Sequence, residues 1–134
     1  KKDDILNTIA GIFGLLILLF PTIHPNYSTS GIFNLPSSIN NIIHLVSAVI
    51  FFGLLSVNSL FLFTKSGGEM TANKKKRNIV YRVCGVGMIA SFALLLLPIS
   101  CAVWITEAVA LLFFGVSWLA KADYYPWLFA DKED

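Results

Sequence analysis

Charged residues are scarce in this chain of 134 residues. Asp, Glu, Lys and Arg make up 13% of it, whereas hydrophobic residues make up 56% and the mean hydropathy is +0.73. An average soluble domain carries about 25% charged residues. The composition therefore excludes an ordinary soluble domain and indicates a membrane protein, with room for a single domain.

Cysteines and the common catalytic motifs are also scarce. The two cysteines, Cys84 and Cys101, are too few for a disulfide scaffold and form no CxxC pair. The sequence contains neither the GxSxG motif of serine hydrolases nor the HExxH motif of zinc enzymes. No motif therefore indicates a familiar catalytic class, and we expect no cofactor.

Long apolar runs are what the chain has in abundance. The longest, 39–63, carries no formal charge and as a helix would measure about 37 Å, which exceeds the ~30 Å hydrocarbon core of a bilayer. The pattern predicts an all-α integral membrane protein, a four-helix bundle formed by residues 1–134 as one domain. Its predicted spans are 5–20, 39–63, 79–97 and 103–120, with an outer loop at 21–38 and a basic cytoplasmic loop at 64–78.

The basic residues are distributed asymmetrically along these spans. Six of the ten lie in or beside the loop between the second and third spans: Lys65, Lys74, Lys75, Lys76, Arg77 and Arg82. The other four lie near the two termini, and the loops on the opposite side contain none. Because lysine and arginine are enriched on the cytoplasmic side, we predict that both termini are cytoplasmic.

Two ionisable side chains, His44 and Glu107, lie well inside the predicted spans. Each is about five residues from the outer end of its span, and so roughly 7 Å deep. Since such residues are costly in a bilayer, we expect the two to meet inside the bundle. We therefore predict a polar ligand pocket near the outer face, for which the candidate residues are His44, Glu107, Ser47, Asn40, Trp104 and His24.

The chemistry of such a pocket is open at this point. The leading interpretation is a non-enzymatic protein that binds a small or lipidic ligand, or that acts as an accessory subunit in a membrane complex. The alternative is a membrane-embedded enzyme acting on a lipid-like substrate, with His44 as base beside Glu107 or with a metal held by His24, His44 and Glu107. A small-solute transporter is a third interpretation, and it would need a homo-oligomer to provide an aqueous path.

A run of four basic residues, Lys74 to Arg77, lies in the predicted cytoplasmic loop 64–78, shortly before the third predicted span. Basic residues beside a membrane attract anionic lipid headgroups at about 1 kcal/mol each, although a role in fixing the topology would also account for them. We name Lys74, Lys75, Lys76 and Arg77 as candidate contacts to anionic lipid. Nucleic-acid binding is not expected, because the run is short and has no folded reading element.

Three segments carry a resemblance to known proteins: HLVSAVIFFGLL, KKKRNIVYRVCG and FGVSWLAKADYY. Together they resemble segments of small, uncharacterised bacterial membrane proteins with four spans. The first is also loosely similar to membrane proteins of the Frag1/DRAM/Sfk1 type, which have more spans than this chain. The resemblance implies a bacterial inner membrane and a role particular to that family for His44, Arg77, Tyr81 and Trp118.

Overall fold

The computed structural model describes residues 2–22, 28–65 and 71–122. Within these ranges the regular secondary structure is helical apart from one small hairpin, which confirms the predicted all-α class. The helices are α1 (Lys2–Leu19), α2 (Ser37–Val57), α3 (Ala72–Ser91) and α4 (Ala102–Lys121). A π-helical segment, Asn58–Leu62, continues α2, and a 3-10 segment, Phe92–Leu96, continues α3. The antiparallel hairpin pairs β1 (Thr29–Ser30) with β2 (Leu35–Pro36).

Three helices of the described residues are long and apolar enough to cross a membrane, rather than the four predicted. They are Ser37–Leu62, Ala72–Leu96 and Ala102–Lys121. The apolar part of the first helix covers only Asp4–Leu19, or about 24 Å. It falls short of the ~30 Å core because charged residues precede it and Pro21 follows it.

The distribution of side chains is the reverse of that in a soluble protein. Large aliphatic and aromatic residues are exposed along every helix, with Leu18, Phe61 and Leu112 at 78%, 64% and 70% exposure. The buried side chains are mostly small or polar, although Phe52, Tyr81 and Met88 are buried as well. The buried polar residues are Ser37, Asn40, His44, Ser47, Ser56, Asn58, Ser59, Ser91, Thr106 and Ser117. This arrangement suits a chain whose surroundings are hydrocarbon, where small and polar groups join helices to one another.

Helix α3 begins earlier than the sequence pattern predicts. The basic run was expected in the loop 64–78, but it occupies the first turns of the helix, which starts at Ala72. The Thr71 side chain caps this start by accepting a hydrogen bond from the Lys74 backbone N–H at 3.2 Å. Lysine and arginine are good helix formers, so a cap is enough to extend the helix out of the apolar run.

The chain packs as two units, Lys1–Leu54 and Leu55–Asp134. In the second unit, close approach of the π segment to α3 depends on Gly85. A Cβ added at Gly85 would lie 2.5 Å from Leu60 Cγ and 3.3 Å from the Ser56 backbone oxygen. Neither neighbour can yield easily, because one is a branched carbon and the other is backbone. The absent side chain at Gly85 therefore sets this helix spacing.

We expect Gly85→Ala to destabilise the protein by about 1–3 kcal/mol, as overpacked cores do. The matched control is Gly115→Ala, because a Cβ there meets nothing within 4 Å and alanine favours a helix by up to about 1 kcal/mol over glycine. The measurement is unfolding of purified protein in micelles by SDS, followed by circular dichroism. Equal stability of the two variants would contradict the proposed contact.

Candidate functional site

The ring of His44 closes the C-terminal end of α1. Its Nδ1 lies 2.8 Å from the carbonyl oxygen of Phe20 and 3.2 Å from that of Ile17. Both partners are acceptors, so Nδ1 must carry a hydrogen. In the neutral tautomer this leaves Nε2 as the acceptor atom of the ring.

The need for this contact comes from Pro21. In a continuing α-helix the Ile17 carbonyl would accept from the N–H of the residue four positions later, and Pro21 has no N–H. The last helical bond in this region joins the Phe20 N–H to the Leu16 carbonyl at 3.0 Å. Since a backbone carbonyl that is shielded from water needs a partner, a donor from another helix replaces the missing one. His44 supplies it.

The outer loop packs against the same helix end. Phe33 stacks on Phe20 with ring centroids 5.4 Å apart. Gly31 has a φ of +74°, and a Cβ there would lie 2.9 Å from Pro21 Cδ, so the turn of the hairpin needs glycine for both its backbone angle and its close approach. Asn40 secures the other side by donating from Nδ2 to the Leu35 carbonyl at 3.3 Å.

The predicted pocket residues fall into both units. Asn40, His44 and Ser47 are buried on one face of α2 in the first unit, at 1%, 7% and 2% exposure. Glu107 on α4 belongs to the second unit and is partly buried, whereas Trp104 is 72% exposed. The contact between His44 and Glu107 stays a prediction, and His24 lies outside the described residues.

A serine pair joins three helical segments in the second unit, and sequence reasoning missed it. Ser59 of the π segment donates from Oγ to the Tyr81 carbonyl at 2.7 Å. Its Oγ also lies 2.6 Å from Oγ of Ser117 on α4. Because a hydroxyl has one hydrogen, the Ser117 hydroxyl must donate to Ser59. Serines are common in apolar runs, so only the three-dimensional contact separates this pair from the others.

Tyr81 closes the end of α4 much as His44 closes α1. Its hydroxyl donates to the Ala120 carbonyl at 3.2 Å, in the last turn of α4. Its ring packs edge-on against Phe63 with centroids 5.6 Å apart. Tyr81 is 1% exposed, so one side chain fills the space between the helices and satisfies a helix-end carbonyl.

Two lysines gather around Phe63 at the same end of the second unit. Lys74 donates from Nζ to the carbonyls of Phe63 at 3.4 Å and Lys65 at 3.2 Å. The Lys121 ammonium lies 5.9 Å from the centre of the Phe63 ring, a cation–π distance. The start of α3 and the end of α4 therefore present their positive charge on one side.

An apolar groove with a volume of about 470 Å³ runs between α3 and α4. We call it the α3–α4 groove. Its lining includes Ile79, Val80 and Val83 of α3 and Val109, Leu112 and Val116 of α4. A second depression adjoins it, sharing Val83 and Phe113 and reaching Arg82, Val86 and Gly87. No such groove was predicted, because its lining residues read in sequence as ordinary lipid-facing positions.

The described ranges contain no group of side chains that could serve together as metal ligands. No cluster of three or more His, Cys, Asp or Glu side chains within 2–22, 28–65 and 71–122 could hold a metal ion. Because His24 lies outside these ranges, the metal-dependent alternative stays a prediction.

Comparison with protein-family models, curated proteins and solved structures finds no significant match to this chain. The fold and the site define a class instead: a helical chain with three helices long and apolar enough to cross a membrane. The resemblance to small bacterial four-span proteins stays a prediction.

We expect His44→Leu to cost about 1–3 kcal/mol of stability, because it leaves partly buried helix-end carbonyls without a donor. His44→Gln, which keeps an N–H donor, should cost less. Adding Pro21→Ala to His44→Leu should restore part of the loss, because residue 21 can then donate to Ile17. SDS unfolding of these variants, of Pro21→Ala alone and of the unsubstituted protein measures this. Strictly additive effects of the two changes would show that His44 does not replace the missing proline donor.

Proposed function

We propose that this protein is an integral membrane protein in which the three long apolar helices and the shorter α1 together form four spans. Both termini are cytoplasmic, and the protein binds one lipidic ligand in the α3–α4 groove. Its role is non-enzymatic, either as a lipid-binding protein or as a lipid-dependent accessory subunit of a membrane complex. The proposed location is the cytoplasmic membrane of a bacterium, which is what the sequence resemblance implies.

The α3–α4 groove carries this proposal. Its volume of about 470 Å³ lies within the range of about 300–1,000 Å³ that is usual for ligand sites. Its lining offers aliphatic side chains over its length, of which Ile79, Val83 and Leu112 are 62%, 58% and 70% exposed. A concave apolar surface of this kind matches a hydrocarbon chain better than a polar solute or a hydrolysable substrate.

The polar residues of the first unit support a structural role more than a catalytic one. His44 and Asn40 both hold backbone carbonyls, of Ile17 and Phe20 in one case and of Leu35 in the other. These contacts give both side chains a structural role, and a general base at His44 would have to act through Nε2, the acceptor atom of the ring. We therefore place the ligand in the groove rather than at the predicted outer pocket.

The cytoplasmic orientation is supported by the side chains around Phe63. Lys74 lies at the start of α3 and Lys121 at the end of α4, and both contact Phe63 at one end of the second unit. In the first unit, His44 near the beginning of α2 contacts the end of α1. The two helices are therefore antiparallel, and the start of α1 lies on the side of the C-terminal end of α2. Both arrangements agree with a positive-inside topology.

The two cysteines provide a direct test of the topology. Cys101 is exposed and Cys84 is buried, so a membrane-impermeant maleimide should label only Cys101 when it is added outside intact cells. In a Cys101→Ser background, Lys75→Cys should be labelled only after permeabilisation. Labelling of Cys101 that requires permeabilisation would contradict the proposed orientation.

Lipid retention tests the groove. We expect native mass spectrometry of detergent-purified protein to show one retained lipid, and Val83→Trp to displace it by filling the groove. A loss of only about 1 kcal/mol of packing contacts between the lipid and the groove would lower the lipid-binding constant about fivefold.

The matched control is Ile89→Trp, because Ile89 is 55% exposed on the same helix but does not line the groove. Equal retention by Val83→Trp and Ile89→Trp, or no retained lipid in the unsubstituted protein, would contradict the proposal.

A further inference from the structure

We propose that the α3–α4 groove selects an anionic phospholipid of the cytoplasmic leaflet, whose acyl chain lies in the groove and whose phosphate is bound by Lys76 and Arg82. This inference rests on the proposed lipid-binding function and adds the class of lipid. It also assigns a role to the second depression, whose lining residue Arg82 binds the phosphate.

Lys76 shares a face of α3 with the groove lining. It precedes Ile79, Val80 and Val83 by three, four and seven residues, which are the spacings of one helix face. Lys76 and Arg82 are both exposed. Because α3 begins at Ala72, these charges are held on a rigid helix beside the groove and its adjoining depression rather than on a loop.

The length of the groove fits one leaflet. From Ile79 in the groove to Gly87 in the adjoining depression, α3 rises about 12 Å, and Lys76 lies roughly 4.5 Å before Ile79. Half of a ~30 Å hydrocarbon core is about 15 Å. A lipid with its phosphate at the level of Lys76 would therefore place its acyl chain along the whole groove.

Arg82 provides the charge complementarity. It lines an apolar depression. The only acidic residue from Ala72 to Lys121 is Glu107, which lies near the start of α4, about three helical turns away from the level of Arg82. An arginine in such a position is costly in hydrocarbon, and a bound anion offsets that cost. Its side chain is long enough to reach back toward the interface, and its planar guanidinium binds phosphate through two parallel hydrogen bonds.

The experiment is a competition between two lipids with identical acyl chains. Delipidated full-length protein is mixed with equal amounts of dioleoyl phosphatidylglycerol and dioleoyl phosphatidylcholine, and native mass spectrometry gives the ratio of the two complexes. We expect the anionic lipid to dominate, and Arg82→Gln and Lys76→Gln each to reduce the ratio about fivefold. The control Lys65→Gln removes a positive charge from the same side of the protein but outside α3, and it should leave the ratio unchanged.

The outcomes separate this inference from the function on which it rests. Equal binding of both lipids that Val83→Trp abolishes would overturn the anionic selectivity and leave lipid binding in the groove intact. Binding of neither lipid would overturn both proposals. An equal reduction of the ratio by Lys65→Gln and Arg82→Gln would also overturn the site, because it would show a general effect of charge.

Discussion

The constraint on which this structure depends is that backbone carbonyls at helix ends need donors where there is no water. Each α-helix leaves four carbonyls without partners in its own last turn, and hydrocarbon cannot satisfy them. Two buried side chains supply donors here: His44 at the end of α1 and Tyr81 at the end of α4. Because each donor comes from a different helix than the carbonyl it satisfies, closing a helix end also joins two helices.

The same constraint explains why the interior is small and polar. The serine pair of Ser59 and Ser117, together with the Ser56 hydroxyl that donates to the Gly85 carbonyl at 3.1 Å, joins the end of α2 to α3 and α4. Gly85 lets the backbones come close enough for these short side chains to reach. With polar contacts holding the inside, the large apolar side chains are left for the outer surface. The α3–α4 groove is a concave part of that surface.

The sequence allowed the class and the positions of the helices to be predicted, since apolar runs of this length are typical of membrane-spanning helices. It predicted the start of α3 wrongly, because a charged run resembles a loop unless the cap at Thr71 is recognised. His44 stood out as an ionisable residue in an apolar run, but its partners are backbone carbonyls on another helix. In the sequence, the indication of that contact is Pro21, four residues after Ile17. A proline has no N–H, so it leaves the carbonyl four residues before it without a helical donor.

The central claim is that His44 donates from Nδ1 to the end of α1, and solid-state NMR of protein labelled with ¹⁵N-histidine in lipid bilayers tests it most directly. Only two histidines are present, and His44→Gln assigns their signals. We predict that Nδ1 of His44 is protonated, so that the neutral ring is the Nδ1–H tautomer. A neutral ring protonated at Nε2 with a bare Nδ1 would contradict the claim, because that nitrogen could not donate to the carbonyls of Ile17 and Phe20.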